Sequence, residues 1–347
     1  MKSNTICTVL DNVRKLFAKH NIESAVLDAQ IIIEHVLEKD RVFLLSHPDT
    51  PVSNKDCLRI DSLAARRAVG EPIAYLTGKK EFYGYDFFVN KNVLIPRPET
   101  EHLVESATKY LNLRIKNSLK IIDIGTGSGC IVVSLIKSLS HSASQPLRHL
   151  FYATEISAEA LEVAKMNSAH LLFDSVKQVE NAGNEFSTSS NNKSLICHSE
   201  EPKNLRRSFA DTQDDNSETQ DDKRTVHFLE SDLFLNPELP EKFDLILANL
   251  PYVPKVRTED LGLRTQEEKA TDFEPQSAIF AEDNGASIIK NFLEQGESKL
   301  DKNGMMILEL DPRNAKEIEN FAKETYPNRK VKLTKDYAGH DRYLEIK

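Results

Sequence analysis

The chain has 347 residues, of which 39% are hydrophobic and 29% charged, with a net charge of −9, four cysteines and no tryptophan. That length suits two domains with an ordinary buried core, and the acidic balance argues against a broad nucleic-acid-binding face. Cys7, Cys57, Cys130 and Cys197 form no C-x-x-C pair, no apolar run reaches the ~18 residues of a membrane span, and no signal-peptide pattern opens the chain, so a cytoplasmic protein without a metal site is expected.

Ile6, Val9, Leu10, Val13, Leu16 and Phe17 recur at helical spacing, as do Leu27, Ile31, Ile32, His35 and Val36. Residues 1–85 are therefore expected to form a helical bundle, with His35 packed in its core or at its boundary. Aromatic and β-branched residues then take over through Val89, which predicts a hairpin linking to a second domain, 94–347, from about residue 93. Leu94-Ile95-Pro96-Arg97-Pro98-Glu99-Thr100-Glu101 begins that domain. Its two prolines keep the backbone extended around Arg97, and the acids that follow open a helix.

From Leu119 the pattern becomes strand, turn, helix, repeated. Strands are predicted at 119–124, 150–154, 226–229, 243–248 and 305–310, helices at 130–138 and 158–171, and a terminal antiparallel pair at 330–335 and 342–346. Such alternation predicts an α/β fold with a mostly parallel sheet covered on both faces. Ligands of these sheets bind at the carboxyl ends of the strands, near the point where strand order reverses. Residues 174–224 interrupt the pattern. They are polar, and Thr212-Gln213-Asp214-Asp215 returns as Thr219-Gln220-Asp221-Asp222. An inserted, mostly disordered segment is expected there, with Cys197 and His198 incidental to function.

Gly125-Thr126-Gly127-Ser128-Gly129 follows the first sheet strand and opens a helix. Glycines at alternate positions remove side chains where a ligand must approach the backbone. The dinucleotide pattern asks for Gly or Ala at the place held by Cys130. The Gly-x-Gly-x-Gly spacing resembles instead the first motif of class I S-adenosylmethionine-dependent methyltransferases. Glu155, at the end of the next strand, suits the two hydroxyls of a ribose; an acid favouring the following helix dipole is the plainer alternative. After the third strand, Asp232 is placed to accept from an adenine amino group, with Leu233 or Phe234 against the ring, although a capped turn explains each residue equally well.

Asn249-Leu250-Pro251-Tyr252 leaves the apolar run Phe243–Ala248. The Asn249 amide oxygen and the Leu250 carbonyl can each accept one N–H of a planar NH2 group. Pro251 stiffens the turn, and Tyr252 offers an apolar face with a polar tip. This suits presentation of a weakly nucleophilic amine or amide to an electrophilic methyl.

With the Pro-Arg-Pro-Glu-Thr-Glu segment, these motifs resemble the release factor glutamine methyltransferases. Gly70-Glu71-Pro72-Ile73-Ala74-Tyr75-Leu76-Thr77-Gly78, Phe273-Glu274-Pro275 with Ala278 and Phe280, Asp283-Asn284-Gly285, Leu308-Glu309-Leu310 and Lys335–Arg342 agree with that family as well. The resemblance implies a Rossmann-like, seven-stranded, mostly parallel sheet behind a helical substrate-recognition domain. It also implies S-adenosylmethionine as cofactor and, as acceptor, the glutamine of the Gly-Gly-Gln loop of peptide chain release factors. A monomer without direct nucleic-acid contact is expected. Cofactor contacts fall to Gly125, Thr126, Gly127, Ser128, Gly129, Glu155, Asp232, Leu233 and Asn249, and catalysis to Asn249, Leu250, Pro251 and Tyr252, with Tyr252 packed on the glutamine. Arg97 and the pair Glu99 and Glu101 are expected to organise the cofactor pocket. One residue departs: the family loop reads Asn-Pro-Pro-Tyr, and Leu250 stands at its second place. Asn-Leu-Pro-Tyr also occurs in rRNA adenine dimethyltransferases, the sharpest rival, and ribosomal-protein glutamine methyltransferases are a second.

Overall fold

The computed structural model describes residues 4–114, 118–142, 149–173, 225–254, 270–281 and 285–347. The polar segment 174–224, with its repeat, Cys197 and His198, lies outside the described residues, as do Asp283 and Asn284.

The N-terminal apolar stripes fold into a bundle. α1 (Ile6–Lys19) turns Ile6, Val9, Val13 and Phe17 inward, and a reciprocal cap between Thr5 and Thr8 closes its first turn. α2 (Ala25–Leu37) gives Ala29, Ile32, Ile33 and Val36 to the same core. His35 does not join them and is exposed. The buried stripe is rotated from the expected one and carries Asp28 inward, where Arg67 of α4 (Asn54–Ala68) meets it at 2.7 Å. α3 (Arg41–Ser46) and α5 (Ile73–Thr77) close the bundle.

The hairpin of β1 (Lys79–Phe82) and β2 (Tyr85–Phe88) buries Phe82 and Phe87 in the core of the sheet. Both ends of one amide fasten it there. Asn167 of α8 (Ala158–Ser168) accepts from Phe88 N at 2.7 Å and donates to Phe88 O at 3.0 Å.

Seven strands form the main sheet: β3 (Lys120–Ile124), β4 (Leu150–Glu155), β5 (Val226–Glu230), β6 (Phe243–Ala248), β9 (Leu300–Glu309), β10 (Val331–Lys335) and β11 (Asp341–Ile346). A two-residue pair, β7 (Val253–Pro254) and β8 (Phe280–Ala281), lies outside it. The order is β10-β11-β9-β6-β3-β4-β5, with β11 antiparallel to both neighbours and the remaining pairs parallel. This is the expected architecture. Every residue of β6 is buried, as a strand covered on both faces requires.

Two elements differ from the expected bounds. β9 begins at Leu300, not Met305: Phe243 pairs with Leu300 and Leu245 with Met305, so polar Asp301-Lys302-Asn303-Gly304 bulges from the ladder and reads locally as a loop. α8 stops at Ser168 and continues as a π turn, Ala169–Phe173. Among the described residues, no helix is long and apolar enough to cross a membrane.

From β3 the chain steps outward to β4 and β5, then returns to lay β6 on the other side of β3. That reversal sets the loops after β3 and β6 side by side at the carboxyl edge of the sheet.

Candidate active site

The glycine turn leads from β3 into α7 (Cys130–Ser142). Gly125 has φ +69°, and a β-carbon there would stand 2.9 Å from Leu250 Cδ2. Gly127 has φ +54°, and a β-carbon there would meet no atom within 4 Å. One glycine therefore admits the neighbouring loop, and the other leaves backbone open toward a cavity. A β-carbon on Gly129 would stand 3.2 Å from Ala164 Cβ of α8, and Gly129 does not line that cavity. Beneath the turn, Thr126 donates to the buried Asp123 at 2.7 Å. Burial pushes the Asp123 carboxyl up to about 7.

The cavity holds about 450 Å³. Gly125, Thr126, Gly127, Ser128, Glu155, Asp232, Leu233, Asn249, Leu250 and Pro251 all line it, together with Arg97 and Thr100 from the segment ahead of the sheet. Glu155 Oε2 accepts from Gly127 N at 2.9 Å, while Oε1 accepts from Ile156 N at 3.0 Å and Ser157 N at 3.2 Å. Three of roughly four lone-pair sites are thus taken, which leaves about one for a ligand hydroxyl. The carboxylate thus faces the cavity and also fixes the turn ahead of α8, whose cap is the Ser157 side chain accepting from Ala160 N.

Leu233 adopts a left-handed φ of +51°, unusual for a residue with a β-carbon. Ser231 holds it by donating to Leu233 O at 2.9 Å and accepting from Asn236 N at 3.0 Å. The turn directs Leu233 to the cavity wall, while Phe234 stacks on Phe292 in the core at 5.5 Å. Asp232 is exposed at the rim.

Asn249 Nδ2 donates to Thr100 Oγ1 at 2.9 Å, and Thr100 Oγ1 donates to Glu309 Oε2 at 2.8 Å. The Tyr252 hydroxyl donates to Glu309 Oε1 at 2.8 Å, with Arg342 Nη1 at 3.8 Å from the same oxygen. Burial raises the Glu309 carboxyl; the bonds from Thr100 and Tyr252 and the Arg342 charge oppose that rise. Tyr252, raised well above its ordinary value by burial and by Glu309, keeps its proton. Its hydroxyl turns to Glu309, and Tyr252 does not line the cavity. The reason is that a buried carboxylate needs donors. Leu250 is buried against Gly125, so packing anchors the loop where proline is absent.

Arg97 Nη2 meets Glu274 Oε1 at 2.6 Å, and the fully buried Glu274 also accepts from Ile95 N at 3.2 Å. Arg97 is thereby held at the cavity wall. Glu99 and Glu101 are not part of that wall. Glu99 offers its backbone carbonyl to the Tyr343 hydroxyl at 2.7 Å, and Glu101 accepts from Tyr83 N at 2.9 Å, tying down the hairpin. Among the described residues, no group of three or more His, Cys, Asp or Glu could hold a metal. Thr100, Glu274 and Glu309 join the site only through the tertiary structure. For Glu309 a signal existed, a lone acid between Leu308 and Leu310 at the end of an apolar strand.

Residues 8–78 match the PrmC N-terminal domain family. Over 344 residues the chain is 30% identical to a release factor glutamine methyltransferase of Rhodopirellula baltica, covering 99% of this chain and 96% of that one. Over 306 residues it is 29% identical to a release factor glutamine methyltransferase of Koribacter versatilis, covering 88% and 86%. A methyltransferase of known structure from Pyrococcus furiosus aligns with a TM-score of 0.40 and 16% identity over 85% of this chain and 98% of that one.

Proposed function

The chain belongs to the release factor glutamine methyltransferases, and from that membership we propose that it transfers the methyl of S-adenosylmethionine to the side-chain amide nitrogen of the glutamine in the Gly-Gly-Gln loop of a peptide chain release factor. The observation that carries the reading is the meeting of two loops. Gly127 leaves its backbone open to the cavity, and Asn249 and Leu250 line the same cavity from the adjacent strand.

The residues present fit the cofactor. The open turn at Gly127 admits a ligand against the backbone, Glu155 retains acceptor capacity for a ribose hydroxyl, and Asp232 and Leu233 offer an acceptor and an apolar surface for adenine. When bound, S-adenosylmethionine supplies an electrophilic methyl on a sulfonium. Asn249 Oδ1 and the Leu250 carbonyl accept the two amide protons of the glutamine. That orients the nitrogen for in-line attack and stabilises its developing positive charge. The extra proton is then acidic enough to leave to water, so no strong base is required. Leucine in place of proline keeps the second acceptor, because that acceptor is a backbone carbonyl. Arg97 and Glu274 shape the cavity wall. The bundle formed by the first 85 residues recognises the release factor, and the enzyme works as a cytoplasmic monomer without binding nucleic acid directly.

The test offers labelled S-adenosylmethionine with purified release factor, ribosomal protein and small-subunit rRNA. Label on the release factor glutamine is expected. Label on rRNA adenine or on a ribosomal protein instead would overturn the reading.

A further inference from the structure

We infer that Thr100 and Glu309 are positioning residues, which together decide which end of the Asn249 amide faces the acceptor. The inference rests on the methyl-transfer reading above.

An asparagine amide can present its oxygen or its NH2 by a half-turn, and the two ends are nearly equal in size. Only the oxygen can accept an N–H of a glutamine amide. An inward NH2 would set donor against donor. Something must choose, and hydrogen-bond direction does so here. A threonine hydroxyl has a single proton. Glu309 Oε2 lies 2.8 Å from Thr100 Oγ1, and with the Tyr252 hydroxyl donating to the other carboxyl oxygen and Arg342 beside it, Glu309 is surrounded by donors, so the Thr100 proton points to Glu309. Thr100 Oγ1 is then left as an acceptor. It takes Asn249 Nδ2 at 2.9 Å and would repel Oδ1. Among the described residues Asn249 Oδ1 accepts no hydrogen bond, and Asn249 lines the cavity.

The chain of bonds is built into the fold. Ala248 pairs with Leu308, so Asn249 and Glu309 are the next residues of adjacent parallel strands, and Thr100 enters between them from the start of α6 (Glu101–Asn112). Thr100 is 2% exposed and Glu309 1%, so water has little access to replace either partner. Tyr252 donates to the other Glu309 oxygen, and Arg342 lies beside it. Both hold Glu309 as an acceptor.

The test compares Thr100→Val and Thr100→Ser with wild type, using full-length protein and saturating S-adenosylmethionine. Single-turnover rates are taken on whichever acceptor (release factor, ribosomal protein or rRNA) the wild type labels. Titration calorimetry gives cofactor affinity, and thermal melts establish that each variant is folded. A space-filling role would make valine, the near-isostere, harmless and serine damaging. The relay predicts the reverse order: serine within about threefold of wild type and valine slower by about 100-fold, the loss typical of a misplaced catalytic group, with cofactor affinity little changed in both. Valine at the wild-type rate, or serine as slow as valine, would overturn it. Glu309→Gln is a second arm. Arg342 draws the new carbonyl toward itself and turns the NH2 to Thr100, which reverses the chain, so a slow rate with intact cofactor affinity is expected and a wild-type rate would overturn the inference. Failure of the function reading appears as the identity of the labelled acceptor; failure of the relay appears as the order of rates.

Discussion

Leu250 Cδ2 stands 2.9 Å from the point a β-carbon on Gly125 would occupy, so the acceptor loop and the glycine turn touch across the switch point of the sheet. Gly125→Ala should therefore strain both loops. The left-handed φ of +69° alone costs an alanine about 1–2 kcal/mol. A melting temperature lower by several degrees and a turnover reduced about tenfold or more are expected. Adding Leu250→Ala should recover part of the turnover, because it removes the clash. If the double variant is no better than the single one, the contact is not what matters.

Leu250→Pro restores the family loop. Its carbonyl is unchanged and residue 250 makes no backbone N–H bond among those described, so steady-state turnover should remain within about threefold of wild type, below the ~10²-fold loss of a misplaced group. A collapse of turnover would show that the leucine side chain, not its carbonyl, is what the site uses.

On the proposed mechanism, Asn249→Ala removes one of the two acceptors for the glutamine amide. A rate loss on the order of 10²–10³ is expected, the scale seen when one preorganised hydrogen-bonding group is deleted. Cofactor affinity should stay within a few fold, measured by calorimetry. Wild-type rates would take Asn249 out of the chemistry.

Glu155→Ala should do the converse. It deletes an acceptor of Gly127 N, Ile156 N and Ser157 N and the remaining lone pair offered to a ligand. The cofactor dissociation constant should rise about tenfold or more, equivalent to at least ~1.4 kcal/mol. Equal affinities for variant and wild type would assign Glu155 to helix capping alone.

Asp123 should leave a signature in stability against pH. Its carboxyl is raised by burial from 3.8 to about 7. Between those values the unfolded chain has released its proton and the folded one retains it. The folded state binds more protons there, so stability falls as pH rises through this window and levels off above it. Asp123→Asn keeps an oxygen for Thr126 and removes the titration. Urea midpoints of wild type should thus fall, relative to the variant, between pH 4 and about pH 7. Parallel curves for the two proteins would refute the assignment.

Many of the residues that line the cavity can be read without a structure because their signals are local. Alternating glycines after one apolar strand and Asn249-Leu250-Pro251-Tyr252 after another mark the two loops that line the cavity. The helical stripes give the bundle. The failures are equally specific. His35 lies outside the core because α2 buries Ala29 and Ile33 in place of the expected Leu27 and Ile31, and Asp28 at the edge of that face is held by an arginine 39 residues away. The start of β9 was hidden because a polar bulge looks like a loop until its partner strand is known.

What the sequence determined by itself was the order of the main-sheet strands, the helices that follow the first two of them, and the family. What only the tertiary structure decided was which atom each side chain faces. Tyr252 turns to Glu309 and not to the cavity, Glu99 and Glu101 brace other elements, and Thr100 meets Asn249 across 149 residues and Glu309 across 209. The physical reason is range. Periodicity and spacing act within a few residues, whereas the direction of a buried hydrogen bond depends on ångström-scale positions that the return of β6 beside β3, and of β9 beside β6, alone establishes.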